Sequence, residues 1–437
     1  MNPINVGLLG LGTVGGGTLT VLRRNEAEIT RRAGRAIRVK IAAVRDLEKA
    51  KAKYAGTDLT ITTDPMQVVD NPEVDIIVEM IGGTDLAKTL VLKAIANGKH
   101  VVTANKALLA MHGNEIFAAA QAQGVMVAFE AAVAGGIPII KAVREGLTAN
   151  RIEWIAGIIN GTTNFILSEM RDKGLSFETA LAEAQSLGYA ESDPTFDIEG
   201  VDAAHKLTIL SAIAFGIPMQ FDKAYTEGIS KLTKEDIQYA EQLGYRIKLL
   251  GITKRTPKGI ELRVHPTLIP TKRLIANVEG VMNAVLVKGD AVGATLYYGR
   301  GAGSEPTASS VVADLVDVTR MHTADPENRV PHLAFQPDAL SSEPILPMSE
   351  VRTAYYLRMR AVDQPGVLAE ITRILADLEI SIDAMIQKEP DEGQEQVDII
   401  ILTHVTVEKN IDQAIAKIES LPTIPGKVTR LRLETLG

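Results

Sequence analysis

Residues 4–24 read INVGLLGLGTVGGGTLTVLRR, and the parsing of this stretch decides the first fold on the chain. Residues 4–9 are mostly apolar and predict a buried parallel strand. Gly10-Leu11-Gly12-Thr13-Val14-Gly15 follows at once, and Leu19, Leu22 and Ile29 then fall on one helical face. This is G-x-G-x-x-G between a strand and a helix, the setting in which the motif cradles a dinucleotide pyrophosphate. Gly10 permits the tight turn, Gly12 has no Cβ to obstruct the phosphates, and Gly15 lets the helix lie close on the strand. The helix start, Thr13 and Val14 included, contributes amides and partial positive charge. A ligand-free glycine turn could carry the same letters, so the strand–turn–helix setting bears the weight.

Outward from the turn, residues 37–44 predict a second strand that ends at Arg45-Asp46. An arginine at this point suits a ribose 2′-phosphate, and an acid suits a free 2′-hydroxyl. Arg45 comes first, which favours NADP(H), and Asp46 keeps NAD(H) open. Further strands at 74–79, 100–103 and 125–129 alternate with helices at 86–96 and around 115–123. That alternation predicts a doubly wound parallel sheet with ligands at the carboxyl ends of its strands. Ile81-Gly82-Gly83 and Thr103-Ala104-Asn105-Lys106 sit at two such ends. A lysine there can neutralise phosphate or move a proton, although an exposed turn lysine would read the same.

The whole chain has 437 residues, nearly half apolar, with 23% charged and a net charge of −8. The length suits about two to four globular domains. The acidic balance argues against a nucleic-acid partner. No apolar run approaches the roughly 18 residues that span a bilayer, so no membrane role is expected. The opening strand pattern lacks a basic region or small-residue cleavage site, and Cys is absent. Disulfides, thiolate metal sites and a Cys nucleophile are thereby excluded, and a cytoplasmic enzyme is expected.

The middle of the chain carries the polar chemistry. Residues 129–138, FEAAVAGGIP, offer small side chains, free carbonyls and the Glu130 carboxylate. Oxygen-only ligation would suit a hard cation, though from residues alone an interdomain crossover fits better. A strand at 154–159 ends in Asn160-Gly161-Thr162-Thr163-Asn164, before a helix at 165–171. That cluster could hold a small polar substrate or simply cap the helix. Between Gly188 and Lys206 lie Glu191, Asp193, Asp197, Glu199 and Asp202, followed by an apolar helix face at Ala203, Leu207, Leu210 and Ala214. Asp202 and Lys206 are one helical turn apart and share a face. A lysine on so apolar a helix needs a partner to offset its desolvation. On a surface the same pair would contribute only about 0.3–0.5 kcal/mol.

Pro337, Pro344 and Pro347 with Ser341 and Ser342 predict a linker. Beyond it, alternating residues around 355–361, the turn Asp363-Gln364-Pro365-Gly366, a helix striped by Leu368, Ile371, Leu375 and Leu378, and strands at 381–387 and 397–403 follow. A second helix at 411–418 and a strand at 428–433 complete a βαββαβ ferredoxin-like order.

The glycine turn, Asn105-Lys106, residues 160–164, Gly188-Tyr189-Ala190-Glu191 and residues 197–206 (DIEGVDAAHK) together resemble homoserine dehydrogenases. The last stretch is the specific one; the glycine turn is shared widely. The resemblance runs nearly end to end and implies a Rossmann domain at 1–130, a catalytic and dimerisation domain at 131–345, and an ACT regulatory domain at 350–437. Residues 304–320 would return to pack on the first domain, and a mixed sheet at 260–298 would serve dimerisation. It further implies interconversion of L-aspartate semialdehyde and L-homoserine, with Lys206 as proton donor and Lys106 near nicotinamide and substrate. Glu191 and Asp202 would bind the amino acid with support from Asp197, beside Gly161 and Thr162. Gly188 and Gly303 would touch the cofactor. A sodium ion would lie at Glu130, Val133, Gly135 and Ile137. The ACT module would take L-threonine, and the assembly would be a homodimer or homotetramer. A prephenate-type dehydrogenase would instead need an all-helical second domain and a catalytic histidine early in it, which the strands at 154–159 and 260–298 disfavour. An amino-acid sensor on an inactive dinucleotide fold would bind without turnover, against which the Glu191, Asp202 and Lys206 set speaks.

Overall fold

The computed structural model describes residues 2–326, 329–387 and 395–437. Six strands, β1 (Ile4–Leu9), β2 (Ile37–Ala43), β3 (Thr60–Thr62), β4 (Ile76–Glu79), β5 (His100–Thr103) and β6 (Val127–Ala128), form a parallel sheet. Its order, β3-β2-β1-β4-β5-β6, reverses beside β1. The glycine turn therefore opens at the topological switch point, where doubly wound sheets bind ligands.

Several element bounds differ from expectation for local reasons. Val74 and Asp75 stay outside β4, because the Val74 carbonyl accepts from Lys99 Nζ at 2.7 Å and Asp75 accepts from the Asn5 N–H at 2.8 Å. The strand expected at 125–129 shrinks to two residues: Val125 N–H closes the preceding helix on Ala120, and Met126 N–H donates to His100 Nδ1. The helix expected around 115–123 runs instead from Lys106 to Gln123, since Asn105 Oδ1 accepts the Leu108 N–H at 3.1 Å and starts it early. Likewise Asn160 starts the helix Gly161–Lys173 before Phe165.

The second sheet is built from β7 (Ile152–Ile158), β8 (Tyr225–Thr226), β9 (Tyr245–Thr256), β10 (Gly259–Pro270), β11 (Met282–Gly289) and β12 (Gly293–Arg300). The helix Val201–Phe215 is buried along almost its whole length and packs against β9 and β10. The chain then returns to the first sheet: the helix Ser304–Met321 lies along Thr13–Arg24. Contact there is so close that a Cβ on Gly17 would come 2.5 Å from the Ser304 carbonyl oxygen.

The C-terminal strands are β13 (Arg352–Val362), β14 (Ile382–Gln387), β15 (Gln396–Thr403), β16 (Thr406–Val407) and β17 (Thr429–Leu433). With the helices Val367–Asp377 and Glu408–Ile418 they make the ferredoxin-like order, apart from the short β16. Their sheet does not stand alone. β17 pairs in parallel with β10 through Thr267–Arg432 and Leu268–Leu433, giving one eleven-stranded sheet. The proline-rich stretch adheres to it as well: Ile260 N–H donates to the Pro344 carbonyl at 2.8 Å and Leu346 N–H to the Ile260 carbonyl at 2.7 Å. Among the described residues no helix is long and apolar enough to cross a membrane.

Candidate active site

The glycine turn has the backbone its letters require. Gly10 sits at φ +103°, where a Cβ would meet the Met80 carbonyl at 3.0 Å. A Cβ on Gly15 would come 2.1 Å from the Gly10 carbonyl oxygen, whereas one on Gly12 would meet nothing within 4 Å. Gly15 is therefore needed by the fold, and Gly12 leaves space that the protein itself does not fill. Ser304 Oγ donates to the Thr13 carbonyl at 2.9 Å, which brings Gly303, at φ +131°, beside the turn. Arg45 is exposed just beyond β2, and Asp46 Oδ1 accepts the Lys49 N–H at 3.0 Å as cap of the helix Leu47–Lys53.

Across the sheet ends lies a compact charged cluster. Asp202, 2% exposed, takes Lys106 Nζ on Oδ1 at 2.7 Å and Lys206 Nζ on Oδ2 at 2.6 Å. Lys206 also donates to the Ile159 carbonyl at 2.7 Å. Asn160 Nδ2 reaches Asp202 Oδ2 at 2.8 Å and Asp197 Oδ1 at 2.7 Å, while its Oδ1 accepts the Thr163 N–H at 2.8 Å. Asn160 is thus helix cap and carboxylate clamp at once.

The electrostatics follow from this geometry. Burial alone would raise the Asp202 carboxyl, but the two ammonium groups more than offset it and hold it well below the usual carboxylate range. Burial lowers Lys206, with Lys106 adding repulsion against the pull of Asp202. Lys106 goes the other way: burial opposes its charge, and Asp202, Asp197 and Glu191 together raise it. Asp197 is raised by burial and by its neighbour Asp202. Two lysines on one carboxylate are thereby made unequal, and Lys206 is the one that releases a proton more easily. His205 turns away from this role. Burial lowers it to about 4, and its ring lies 5.4 Å from that of Phe196 and 4.3 Å from that of Phe221.

Glu79, whose importance the sequence did not signal, holds the Lys106 turn together with Thr103 and Asn105. Glu79 is fully buried at the end of β4, with Oε1 accepting the Ile81 and Gly82 N–H groups at 2.9 and 3.2 Å. Its Oε2 accepts Thr103 Oγ1 at 2.7 Å, Thr103 in turn accepts the Asn105 N–H, and Asn105 Nδ2 donates to the Gly83 carbonyl at 2.7 Å. Phe196 was also missed: its ring, 42% exposed, lies under Lys106 Nζ at 5.8 Å. A carboxylate at the carboxyl end of an otherwise apolar strand was the available clue to Glu79; for Phe196 there was none.

The remaining expected site residues have the following surroundings. Thr162 Oγ1 donates to the Tyr189 carbonyl at 2.7 Å, so its hydroxyl ties the helix to the 188–190 loop. Gly161 opens that helix where a Cβ would meet the Val281 carbonyl at 2.8 Å. Asn164 is absorbed by structure, donating to the carbonyls of Val278, Gly280 and Met282 and accepting from the buried Lys248. Glu191 and Gly188 lie on the exposed loop, Glu191 near enough to bear on Lys106.

The segment around Glu130 lies apart, towards Ser304–Met321. Glu130 is 3% exposed, its oxygens accept the Ile140 and Lys141 N–H groups at 2.8 Å each, and burial pushes it up to about 7. Its own N–H donates to Asp314 Oδ2 at 2.8 Å, and burial also raises Asp314. Ala134 and Gly135, at φ 54° and 48°, turn the chain between the Val133 and Ile137 carbonyls. No group of three or more His, Asp or Glu side chains is placed for a metal among the described residues. Both Glu130 oxygens already accept N–H groups, so a cation here would rest mainly on backbone carbonyls, a donor set of hard oxygens that fits a hard cation. A cavity of about 230 Å³ lies behind Asp314, not at Lys206, lined by Lys141, Arg144, Asp317 and His332 among others. Its cations are matched by Asp317 and Glu145, so its charge closes on itself.

Residues 10–130 match the family model described as the NAD binding domain of homoserine dehydrogenase, residues 138–316 the model of homoserine dehydrogenase, and residues 355–423 that of the ACT domain. The homoserine dehydrogenase of Pseudomonas aeruginosa is 65% identical and that of Neisseria gonorrhoeae 61%, each over the full length of both chains. The solved homoserine dehydrogenase of Thiobacillus denitrificans is 76% identical with a TM-score of 0.96, over 100% of this chain and 99% of that one. A hyperthermophilic archaeal homoserine dehydrogenase solved with NADPH is 27% identical with a TM-score of 0.63, over 73% of this chain and 98% of that one.

Proposed function

The chain belongs to the homoserine dehydrogenase family, and from that premise we propose how its residues divide the work of oxidising L-homoserine to L-aspartate semialdehyde and reversing it. The nicotinamide dinucleotide, when bound, accepts or delivers the hydride. Lys206 takes the hydroxyl proton in one direction and returns it to the oxyanion in the other. The observation that carries this is the pair of lysines on the two oxygens of Asp202, with Lys206 buried against the Ile159 carbonyl and Lys106 open to the cleft. Lys106, held charged, stabilises negative charge on the substrate, including the oxygen that alternates between alkoxide and carbonyl. Asp202 orients both lysines, and Asp197 with Glu191 offers negative charge to the substrate ammonium.

NADP(H) is the preferred coenzyme, with NAD(H) as the weaker one. Exposed Arg45 is available to a 2′-phosphate, while the Asp46 carboxylate caps a helix. The archaeal relative named for its NADPH supports the same choice. Gly10, Gly12, Thr13, Val14 and Gly15 cradle the pyrophosphate, with Gly188 and Gly303 at its flanks. Sodium would be held at Glu130, Val133, Gly135 and Ile137, and its charge would favour the ionised form of the buried Glu130 and Asp314 carboxyls. The three units at 1–130, 131–345 and 350–437 are read as cofactor, catalytic and regulatory domains. L-Threonine is the effector of the last, in a pathway leading to threonine, methionine and isoleucine. The subunits pair as a homodimer or homotetramer in the cytoplasm.

The deciding assay follows NADPH oxidation with L-aspartate semialdehyde in the wild type and in Lys206→Ala. Turnover in the wild type and its loss in the variant are expected; an active variant would remove Lys206 from the proton step. L-Threonine added to the wild-type assay should slow it, and an unchanged rate would discard the effector role.

A further inference from the structure

We propose that Arg432, in the C-terminal module, and Glu227, in the catalytic domain, are positioning residues of the dehydrogenase site, acting together on the loop that carries Asp197. The proposal rests on reading that loop as part of the substrate site. β8 and β17 lie end to end along one edge of β10: Tyr225 and Thr226 pair with Arg263 and Val264, and Arg432 and Leu433 pair with Thr267 and Leu268. Arg432 is fully buried at this junction. Within its own module it holds both oxygens of Glu408, at the start of the helix Glu408–Ile418. Across the junction it donates to Glu227 Oε2 at 2.8 Å and to Tyr225 Oη at 3.0 Å, and Tyr225 Oη donates to the same Glu227 oxygen at 2.8 Å.

Glu227 is one residue from a contact with the substrate loop that leaves almost no slack. A Cβ on Gly228 would lie 2.4 Å from the Ile198 carbonyl oxygen and 2.5 Å from Glu199 Cα. Ile229 N–H donates to that Ile198 carbonyl at 2.8 Å, and Glu227 N–H to the Val264 carbonyl at 2.8 Å. Gly200, which opens the helix of Asp202 and Lys206, sits against Thr226 and Val264, 3.2 Å from each by its absent Cβ. The segment 225–229 is therefore gripped by Arg432 on one side and carries residues 198–200 on the other. A guanidinium desolvated between carboxylates fixes direction as well as distance, which a lysine could not do. A ligand that moves β17 or the Glu408 helix would pull on Glu227 and shift Asp197 relative to Asn160.

The test measures KM for L-homoserine, KM for the coenzyme, kcat and the thermal midpoint in Glu227→Gln, Arg432→Lys and Asp197→Asn. A positioning role raises the homoserine KM about fivefold or more in Glu227→Gln, with the coenzyme KM changed by less than about twofold. Arg432→Lys should behave likewise, since it keeps the charge but loses the fork that joins Glu408 to Glu227. If Arg432→Lys does not fold, Glu227→Gln, whose side chain is 28% exposed and isosteric, decides alone. An unchanged homoserine KM in Glu227→Gln, or equal rises in both KM values, overturns the proposal when Asp197→Asn does raise the homoserine KM. If Asp197→Asn leaves that KM unchanged, the reading of the loop fails first, and the proposal with it.

Discussion

Asp202 carries two lysines on its two oxygens, and their unequal surroundings give each a different use. Lys106 remains 33% exposed at the cleft, while the Lys206 side chain is only 11% exposed and has a backbone carbonyl as second partner. Removing the Lys206 amine should lower kcat about a hundredfold to ten-thousandfold, the usual worth of a placed acid–base group. In the oxidation direction the neutral amine is the active form, so kcat/KM rises with pH through the Lys206 pKa, and in reduction it falls. Because burial lowers that pKa, this limb lies below the value of a free lysine. Lys106 contributes to the lowering, so Lys106→Met should move the limb to higher pH, measured as pH profiles of kcat/KM. A limb that stays in place would show that the two ammonium groups do not sense each other.

At the scale of an element, the glycine turn separates folding from binding within one motif. Gly15→Ala drives a methyl into the Gly10 carbonyl, so it should cost about 1–3 kcal/mol as overpacking and lower the melting temperature. Gly12→Ala meets nothing in the protein, and its φ of −70° suits any residue. That variant should keep its melting temperature while coenzyme binding, followed by quenching of its fluorescence or by KM, weakens. Equal loss of stability in both variants would contradict the division. The helix starts tell a similar story. Asn105 and Asn160 begin helices several residues ahead of where apolar periodicity places them, because a capping oxygen supplies what the periodicity does not.

Over the whole molecule, the C-terminal module is continuous with the catalytic sheet. Besides the β10–β17 pairing, Arg358 reaches Asp236 at 2.6 Å, Tyr356 Oη donates to Asp236 at 3.2 Å, and the buried Arg263 holds Glu434 at 2.6 Å. Ending the chain at Pro347 would leave buried Asp236 without Arg358, leave Arg263 with Glu261 alone, and expose an edge of β10. Breaking a buried ion pair typically costs about 3–5 kcal/mol, and a bare edge invites aggregation. The shortened protein should therefore be recovered poorly in soluble form or melt well below the full chain. A soluble, equally stable product would show that the module is a detachable sensor.

Composition and the strand–glycine–helix opening determined the α/β class and the nucleotide-binding first unit, because local periodicity and short motifs encode them directly, while the run from Gly188 to Lys206 pointed to the family through its resemblance to homoserine dehydrogenases. The ferredoxin-like order of the last ninety or so residues was legible for the same reason. Only the tertiary structure decided that Asp202 bridges both lysines, that Thr162 meets the Tyr189 carbonyl and Asn164 the Val278 carbonyl, that Glu79 holds the Lys106 turn, and that Arg432 meets Glu227. Each of these joins residues far apart in the chain, except for the one-turn spacing of Asp202 and Lys206. Sequence periodicity reports which face of an element is buried, but not which polar group the packing brings against it.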